Sequence, residues 1–379
     1  MNQKSKIFVG AMSGTSVDSV DAIAVKFSSD NKKSKIIGFV SESINSKLQN
    51  KIRNFSSNSP FAAYTEIDFE IGKLFANTIN KLIKDFAISP NDIQAIGSHG
   101  QTLFHAPKGA FPTSIQAGNP NIIASDTGIT TIADFRRGDI AAGGEGAPLV
   151  PMFHAFLADN NPAIAFINIG GFCNITIFSK KGVDGFDIGP GNYLMDFWIQ
   201  KKDGALFDYN GNWAASGKLQ HELLNEMLSD PFFSKTPPKS TGFELFNSSW
   251  LNNYIRKNKY YDEDIQRTLC ELTAKSIANS VMEYAPLINN LVLCGGGTYN
   301  SFLVKRIKHN LPNITITDSS EYGISPKELE CCAFAWLAKR RIENETNCSC
   351  RVSGAYSDSI CGGIYSPPAK KRNQKIKST

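Results

Sequence analysis

Two stretches of the chain share one pattern, in which a short polar turn containing glycine joins two apolar runs. Residues 6–27 read KIFVGAM, SGTSVDS and VDAIAVKF, and residues 163–178 read AIAFINI, GGFCN and ITIF. Each pattern predicts a β-hairpin. The two hairpins open two parts of the chain that are similar in size, which predicts a duplicated domain.

Further strands and helices follow each hairpin. A helical spacing of apolar residues extends to Phe86 in the first half and from Cys270 to Tyr284 in the second, and LVLC (291–294) is typical of a buried strand. Hairpins mixed with strand–helix–strand units in a chain of 379 residues predict two three-layer α/β domains with a cleft between them.

Composition excludes several classes of protein. The net charge of +5 comes from the tail, KKRNQKIKST, because removing its five basic residues from the 40 in the chain leaves 35, equal to the 35 acidic residues. A neutral body predicts no nucleic-acid partner. The apolar runs are too short for a membrane span, no secretory signal is visible, and a cytoplasmic protein with thiol cysteines is expected.

The turn of the first hairpin predicts an anion site. No G-x-x-x-x-G-K-[ST] motif is present, so a Walker-type phosphate loop is excluded. Backbone N–H groups near Gly14, with hydroxyls of Thr15 and Ser16, suit a phosphate, and Asp18 or Asp21 suits Mg²⁺. A turn of this composition can also be only a turn; its repetition favours two hairpins that hold a polyphosphate.

A second concentration of polar residues is GFDIGPGNYLMDFW (185–198). Gly189, Pro190 and Gly191 predict a rigid loop, followed by a helix from NYLMDFW. Asp187, just before this loop, is a candidate general base. The alternative is an acidic residue that only stabilises a turn.

Gly295, Gly296 and Gly297 follow a predicted strand and precede a predicted helix, and Asp318 comes about twenty residues later. This approximates a dinucleotide-binding fingerprint. Asn300 stands where the third glycine is expected, however, and a glycine turn against which a nucleoside packs agrees better with the two hairpins.

Two further motifs suggest contacts with a substrate. GSHGQTLFHAP (97–107) carries His99 and His105, which lack a third ligand for a metal and are better suited to hydrogen bonding a substrate. Arg136 and Arg137 suit an anionic ligand, although paired arginines also bridge surface carboxylates.

Taken together, these motifs resemble the anhydro-N-acetylmuramic acid kinases of the sugar kinase, Hsp70 and actin superfamily. The resemblance covers nearly the whole chain and rests on MSGTSVDSVDA, GSHGQTLFH, DFRRGDIAAGGEGAPLVP, NIGGFCNIT, GFDIGPGNYLMD, DPFFSKTPPKSTGFE, LVLCGGGTYN and ELECCAFAW. It implies a kinase that opens the 1,6-anhydro ring of its sugar with water and transfers the γ-phosphoryl group of ATP to O6, as a step of peptidoglycan recycling.

The resemblance also implies the fold and its limits. It implies two ribonuclease H-like, actin-like ATPase domains, over residues 1–135 and 136–351, with residues 352–368 returning to the first domain. Separately, the run of basic residues predicts a solvated, disordered tail over 369–379 rather than an interaction arm. It implies a homodimer whose other partners are small molecules.

The resemblance assigns roles residue by residue. Asp187 is the base that activates water, and Arg136, His99 and Glu330 lie near the sugar. The residues assigned to ATP and Mg²⁺ are Gly14, Thr15, Ser16, Val17, Asp18, Ser19, Val20 and Asp21 in the first hairpin, with Asp18 and Asp21 as metal ligands, and Gly170, Gly171, Gly295, Gly296 and Gly297 in the second half.

Five positions depart from the family pattern, of which Cys173 and Ile175 alter packing around the second hairpin. Ser19 replaces a usual glycine, which predicts backbone strain of about 1 kcal/mol if the position needs a positive φ. Ile188 replaces a threonine, which predicts the loss of a hydroxyl from the site, and Glu145 replaces a glutamine, which adds a negative charge.

Two alternative functions stay open at this point. One is a kinase of the same fold for another sugar, and the other is a non-catalytic actin-like nucleotide switch with a protein partner.

Overall fold

The computed structural model describes residues 6–14, 16–28, 33–256 and 259–369. The chain divides into two compact units. Unit 1 comprises Met1–Gly138, Cys331–Glu345 and Ile360–Thr379, and unit 2 comprises Asp139–Glu330 and Thr346–Ser359. The expected boundaries at 135/136 and 351/352 therefore differ from this division, and most of the expected tail, residues 370–379, lies outside the described residues.

The described segments form the following strands and helices in chain order. The strands are β1 (Lys6–Met12), β2 (Ser19–Phe27), β3 (Ser34–Ser43), β4 (Ile93–Ser98), β5 (Gln101–Ala106), β6 (Thr113–Ala117), β7 (Thr131–Ala133), β8 (Ile164–Ile169), β9 (Phe172–Ser179), β10 (Gly182–Pro190), β11 (Asn290–Cys294), β12 (Thr315–Asp318) and β13 (Gly363–Tyr365). The helices are α1 (Ser46–Arg53), α2 (Phe61–Asp85), α3 (Pro120–Thr127), α4 (Phe135–Ala141), α5 (Pro151–Ala158), α6 (Tyr193–Lys202), α7 (Asn212–Ser216), α8 (His221–Leu228), α9 (Ser248–Ile255), α10 (Asp262–Tyr284), α11 (Ser301–Asn310), α12 (Leu329–Ile342) and α13 (Cys350–Ser353).

The main sheets of the two units share one five-stranded topology, to which unit 1 adds β13 at the edge beside β7. Unit 1 has the order β13-β7-β4-β1-β2-β3, and unit 2 has the order β10-β9-β8-β11-β12. In each sheet the first three strands in sequence are antiparallel neighbours, and the first strand also pairs in parallel with the fourth, which pairs in parallel with the fifth. The prediction of two ribonuclease H-like α/β units is confirmed.

Both predicted hairpins are present. In β1 and β2, Met12 is opposite Asp21, and in β8 and β9, Ile169 is opposite Cys173. The predicted loop at 189–191 was wrong for its first two residues, because β10 continues through Pro190, which pairs with Phe172. Proline is tolerated there because β10 is the edge strand of its sheet.

Two glycines explain why residues 331–345 belong to unit 1 and not to the second domain that the sequence suggested. A Cβ at Gly10 of β1 would lie 1.9 Å from the carbonyl oxygen of Cys331, and a Cβ at Gly97 of β4 would lie 2.0 Å from that of Phe334. Glycine therefore lets α12 contact the sheet of unit 1 directly.

No helix in the described segments is long and apolar enough to cross a membrane.

Candidate active site

The turn between β1 and β2 is held by polar contacts within unit 1. Ser13 Oγ lies within hydrogen-bond distance of the carbonyl oxygen of Ser19, at 2.8 Å, and of Gln101 Oε1, at 2.7 Å, and Val17 N–H donates to the carbonyl of Gly14 at 3.2 Å. Thr15, assigned to the phosphates from sequence, lies outside the described residues.

The backbone strain expected at Ser19 was placed at the wrong residue. Ser19 is the first residue of β2 and pairs with Ser43 of β3, so it has an extended conformation. Val17 has the positive φ, 57°. A β-branched residue is costly in this region, and Val17 is held there because its side chain is only 5% exposed and packs in the core of unit 1.

The two predicted metal ligands are linked through Ser19. Its N–H donates to Asp18 Oδ1 at 3.0 Å and its hydroxyl donates to Asp21 Oδ1 at 3.1 Å. Ser16 and Ser41 hydroxyls also donate to these Oδ1 atoms, at 2.6 and 2.5 Å. Within the described residues neither Oδ2 atom accepts a hydrogen bond, so the donor set fits a hard cation such as Mg²⁺.

Arg136 and His99 form a pair in unit 1, as the sequence grouped them. Arg136 donates from Nε and Nη2 to His99 Nε2, at 3.2 and 3.0 Å. Burial, with a smaller contribution from Arg136, lowers the pKa of His99 to about 3. The ring is therefore neutral near pH 7, and because Nε2 accepts, Nδ1 carries the proton.

Next to this pair is a cavity of about 620 Å³ in unit 1, within the size range of small-molecule sites. Ser98 and His99 line it, and Ser98 Oγ is buried without a hydrogen-bond partner among the described residues. Buried polar atoms are rarely left unpaired, so this hydroxyl suits a bound ligand. His105, the other sequence candidate, is hydrogen bonded to Ser114 Oγ at 3.0 Å and does not line the cavity. Arg137 lines the cavity but is paired with Asp134.

Asp187 in unit 2 lies on β10, where a bulge relative to β9 falls between Asp187 and Gly189. Bulges of this kind change the direction of a side chain. The N–H of Asp187 donates to the carbonyl of Lys239 at 3.0 Å, and the N–H of Thr241 donates to Asp187 Oδ2 at 2.9 Å. The side chain of Asp187 is half-buried. The hydrogen bond from Thr241 N–H gives its carboxylate a defined orientation.

The structure also places Ile188 and Glu145, two further departures from the family pattern. Ile188 is 1% exposed and packs in the core of unit 2, so the expectation that it removes a hydroxyl from the site was wrong. The half-buried carboxylate of Glu145 accepts a hydrogen bond from the hydroxyl of Ser240.

The turn between β8 and β9 is held by the start of α6. Gly191 N–H donates to the carbonyl of Gly171 at 2.9 Å, and Asn192 N–H donates to that of Gly170 at 2.8 Å. A Cβ at Gly191 would lie 2.3 Å from the Gly170 oxygen. Glycine at 191 therefore lets the segment after Asp187 contact the predicted phosphate turn.

Gly295, Gly296 and Gly297 lie beside this turn because β8 and β11 are neighbours. Gly295 has a φ of 81°, and a Cβ there would lie 2.4 Å from Asn168 Oδ1; a Cβ at Gly297 would lie 2.2 Å from Ile169 Cγ2. No described residue lies within 4 Å of a Cβ placed at Gly296. At this end of the sheet, unit 2 therefore brings two of the predicted glycine turns together.

Glu330 joins the same cluster. It accepts a hydrogen bond from Asn168 Nδ2 at 3.0 Å, whereas Asn168 Oδ1 is buried without a partner among the described residues. Sequence reasoning missed Asn168, and it also missed the contact of residues 239–241 with Asp187. The motif DPFFSKTPPKSTGFE (230–244) was the available signal for that contact, although it indicated no role.

Comparisons with known proteins identify the family. A sequence model of the family described as anhydro-N-acetylmuramic acid kinase matches residues 6–367. The anhydro-N-acetylmuramic acid kinase of Saccharophagus degradans is 43% identical over 373 residues, which are 96% of this chain and 100% of that protein. That of Coxiella burnetii, strain Dugway, is 42% identical over 364 residues, 94% of this chain and 97% of that protein.

Similarity to solved structures is weaker. The crystal structure of (R)-2-hydroxyglutaryl-CoA dehydratase component A from Acidaminococcus fermentans has a TM-score of 0.45 and 10% identity, over 87% of this chain and 96% of that chain. This similarity is too low to support an argument. The sequence matches are decisive, since they extend over almost the whole length: the chain belongs to the anhydro-N-acetylmuramic acid kinase family.

Proposed function

We propose that this chain is an ATP-dependent kinase that opens the 1,6-anhydro ring of 1,6-anhydro-N-acetylmuramic acid and phosphorylates O6, giving N-acetylmuramic acid 6-phosphate for peptidoglycan recycling. The proposal depends on family membership across residues 6–367. The structural observation that supports it is the oriented carboxylate of Asp187, held by the N–H of Thr241 at 2.9 Å.

In the proposed reaction, water adds to C1 while the C1–O6 bond breaks and O6 attacks the γ-phosphorus of ATP. Asp187 accepts the proton that the water loses, and ADP leaves. Because the electron pair of O6 forms the new bond to phosphorus, O6 needs no separate proton donor. Asp187 is therefore the one general base that the reaction requires.

The glycine turns suit ATP. In unit 1, the turn between β1 and β2 would offer main-chain N–H groups to phosphate oxygens, and Asp18 and Asp21 would hold Mg²⁺, which offsets phosphate charge. In unit 2, Gly170 and Gly171 would contact phosphate, and Gly295–Gly297 would lie against the nucleoside. The phosphate role stays a prediction for the other assigned residues of the first hairpin, which are Thr15, Ser16, Val17, Ser19 and Val20.

The sugar is assigned to polar groups of each unit. In unit 1, His99 would donate from Nδ1 to an acceptor oxygen of the sugar, since Arg136 occupies Nε2. Arg136 itself adds positive charge, which suits the carboxylate of a muramic acid. In unit 2, Glu330 would accept from a sugar hydroxyl.

The decisive experiment measures ADP release with 1,6-anhydro-N-acetylmuramic acid in ¹⁸O-labelled water, followed by mass analysis of the product. We expect one ¹⁸O atom at the anomeric carbon and none in the phosphate. Turnover of free hexoses with no turnover of the anhydro sugar would favour a kinase for another substrate. Label in the phosphate would mean that water attacks phosphorus, which contradicts the proposed chemistry.

A substitution of the base separates a kinase from a nucleotide switch. In Asp187→Asn the amide oxygen can still accept from Thr241 N–H, so the position of the side chain is kept while its basicity is lost. We expect kcat to fall by roughly 10²- to 10⁴-fold, the usual contribution of a general base, with ATP binding retained. A switch would keep its function in this variant.

A cytoplasmic location and a homodimer also remain predictions.

A further inference from the structure

A short segment of unit 2 that no role yet explains contacts the proposed base. We propose that residues 239–241 form a clamp that positions Asp187, and that the buried ammonium group of Lys239 anchors this clamp. The inference depends on the proposed role of Asp187 as base. Lys239 and Thr241 are positioning residues in it, since they act through Asp187.

The clamp holds Asp187 at two points. The main-chain N–H of Asp187 donates to the carbonyl of Lys239 at 3.0 Å, and the N–H of Thr241 donates to Asp187 Oδ2 at 2.9 Å. One contact fixes the strand and the other fixes the carboxylate. The hydroxyl of Thr241 is buried without a partner among the described residues, so Thr241 acts on Asp187 through its main chain.

The anchor is unusual because lysine is rarely buried. Lys239 is 8% exposed, and its Nζ lies 3.4 Å from the carbonyl oxygens of both Phe232 and Phe233. Nζ also lies 4.9 Å from the ring centroid of Phe232 and 5.9 Å from that of Phe186, the neighbour of Asp187. The ammonium thus joins the turn at 232–233 to the segment that contacts Asp187.

The buried charge has a cost that the contacts must offset. Burial lowers the pKa of Lys239; Glu283 opposes this from a distance, and the positive charge of Lys235 adds a smaller decrease. Within the described residues no carboxylate lies within ion-pair distance of Nζ, so carbonyl dipoles and aromatic faces stabilise the charge. A methionine of similar length could fill the space, but it could not bind the two carbonyls.

A second contact ties the middle of the clamp to a different part of unit 2. The hydroxyl of Ser240 donates to Glu145 Oε2, and the N–H of Glu145 donates to the carbonyl of Ser353 at 2.8 Å. The clamp is therefore held at two of its residues, at Lys239 by the two phenylalanine carbonyls and at Ser240 by Glu145. This contact also gives position 145 a function that either a glutamate or a glutamine oxygen can fulfil.

The test compares Lys239→Met and Lys239→Arg with Lys235→Met, a matched control on an exposed lysine of the same segment. The full chain is assayed for ADP release across pH, with KM for ATP and the thermal midpoint measured in parallel. We expect Lys239→Met to lower kcat by roughly 30- to 100-fold, as small misplacements of a reacting group do. KM for ATP should stay within about twofold of the control, and Lys239→Arg should recover part of kcat.

The pH profile distinguishes positioning from general destabilisation. If Asp187 loses the Thr241 donor, its charged form is less favoured, and the acid limb of kcat shifts to higher pH in Lys239→Met but not in Lys235→Met. Should Lys239→Met fail to fold, Ser240→Ala carries the test, with an expected smaller fall in kcat and the same shift of the acid limb.

Two outcomes would overturn the clamp. One is that Lys239→Met and Ser240→Ala both match Lys235→Met in kcat and in pH profile. The other is that kcat falls only as far as the folded fraction falls, with an unchanged acid limb. Failure of the proposed function is a separate result, since the unsubstituted chain would then release no ADP with the anhydro sugar.

Discussion

Replacing Gly191 by alanine tests whether the segment after Asp187 must contact the phosphate turn. The new Cβ would lie 2.3 Å from the Gly170 oxygen and 3.2 Å from Cys173 Sγ. The nearest contact is main chain, so the backbone must move. Overpacking of this kind costs about 1–3 kcal/mol. Movement also weakens the two hydrogen bonds from Gly191 and Asn192, at a net cost of about 1 kcal/mol each.

The expected loss of unfolding free energy is therefore about 3–5 kcal/mol. Thermal and urea denaturation measure it directly, and ATP binding by calorimetry should weaken because the turn at 170–171 is displaced. Gly296→Ala is the matched control for stability, since a Cβ there meets no atom of the described segments within 4 Å. If Gly191→Ala unfolds at the same urea concentration as this control, the close approach of the two segments is wrong.

Three further predictions concern the acid stability, the sugar and the metal. Burial raises the pKa of Glu271, but hydrogen bonds from Arg306, Asn310 and Arg267 outweigh burial and lower the pKa to about 2. Because the pKa is lower in the folded state, the ionised Glu271 contributes about 3 kcal/mol to the free energy of unfolding above pH 4.5. This contribution is lost as the pH falls towards 2. Urea denaturation should therefore show Glu271→Gln less stable than the unsubstituted chain at pH 7 but not near pH 2.

Arg136→Met removes the donors that hold His99 Nε2 and should raise KM for the anhydro sugar roughly tenfold or more at unchanged KM for ATP; equal changes in both would contradict a sugar role. Asp21→Asn should raise the Mg²⁺ concentration for half-maximal rate by roughly tenfold, or about 1.4 kcal/mol, and an unchanged titration would remove Asp21 from the metal site.

Features that depend on neighbouring residues were predictable from the sequence. Apolar runs on both sides of a glycine turn predicted the hairpins at 6–27 and 163–178, because strand patterning and turn chemistry are local. The order of long motifs predicted the family, and the motif around Asp187 named the candidate base. The matching sheet topologies of the two units followed from the repeated hairpin pattern.

Local patterns failed where distant residues compete for the same backbone. The glycine and proline after Asp187 suggested a loop, but pairing with β9 extends β10 through Pro190. The missing glycine suggested strain at Ser19, but pairing with β3 makes Ser19 extended and leaves the positive φ to Val17.

The amino-acid sequence alone predicted the two hairpins and the chemical groups that are available to a kinase of this family. Only the tertiary structure decided that α12 contacts the sheet of unit 1 through Gly10, and that residues 239–241 reach Asp187. The physical reason is that these contacts join residues far apart in sequence. Their stability depends on how whole sheets and helices pack, which no short window of sequence contains.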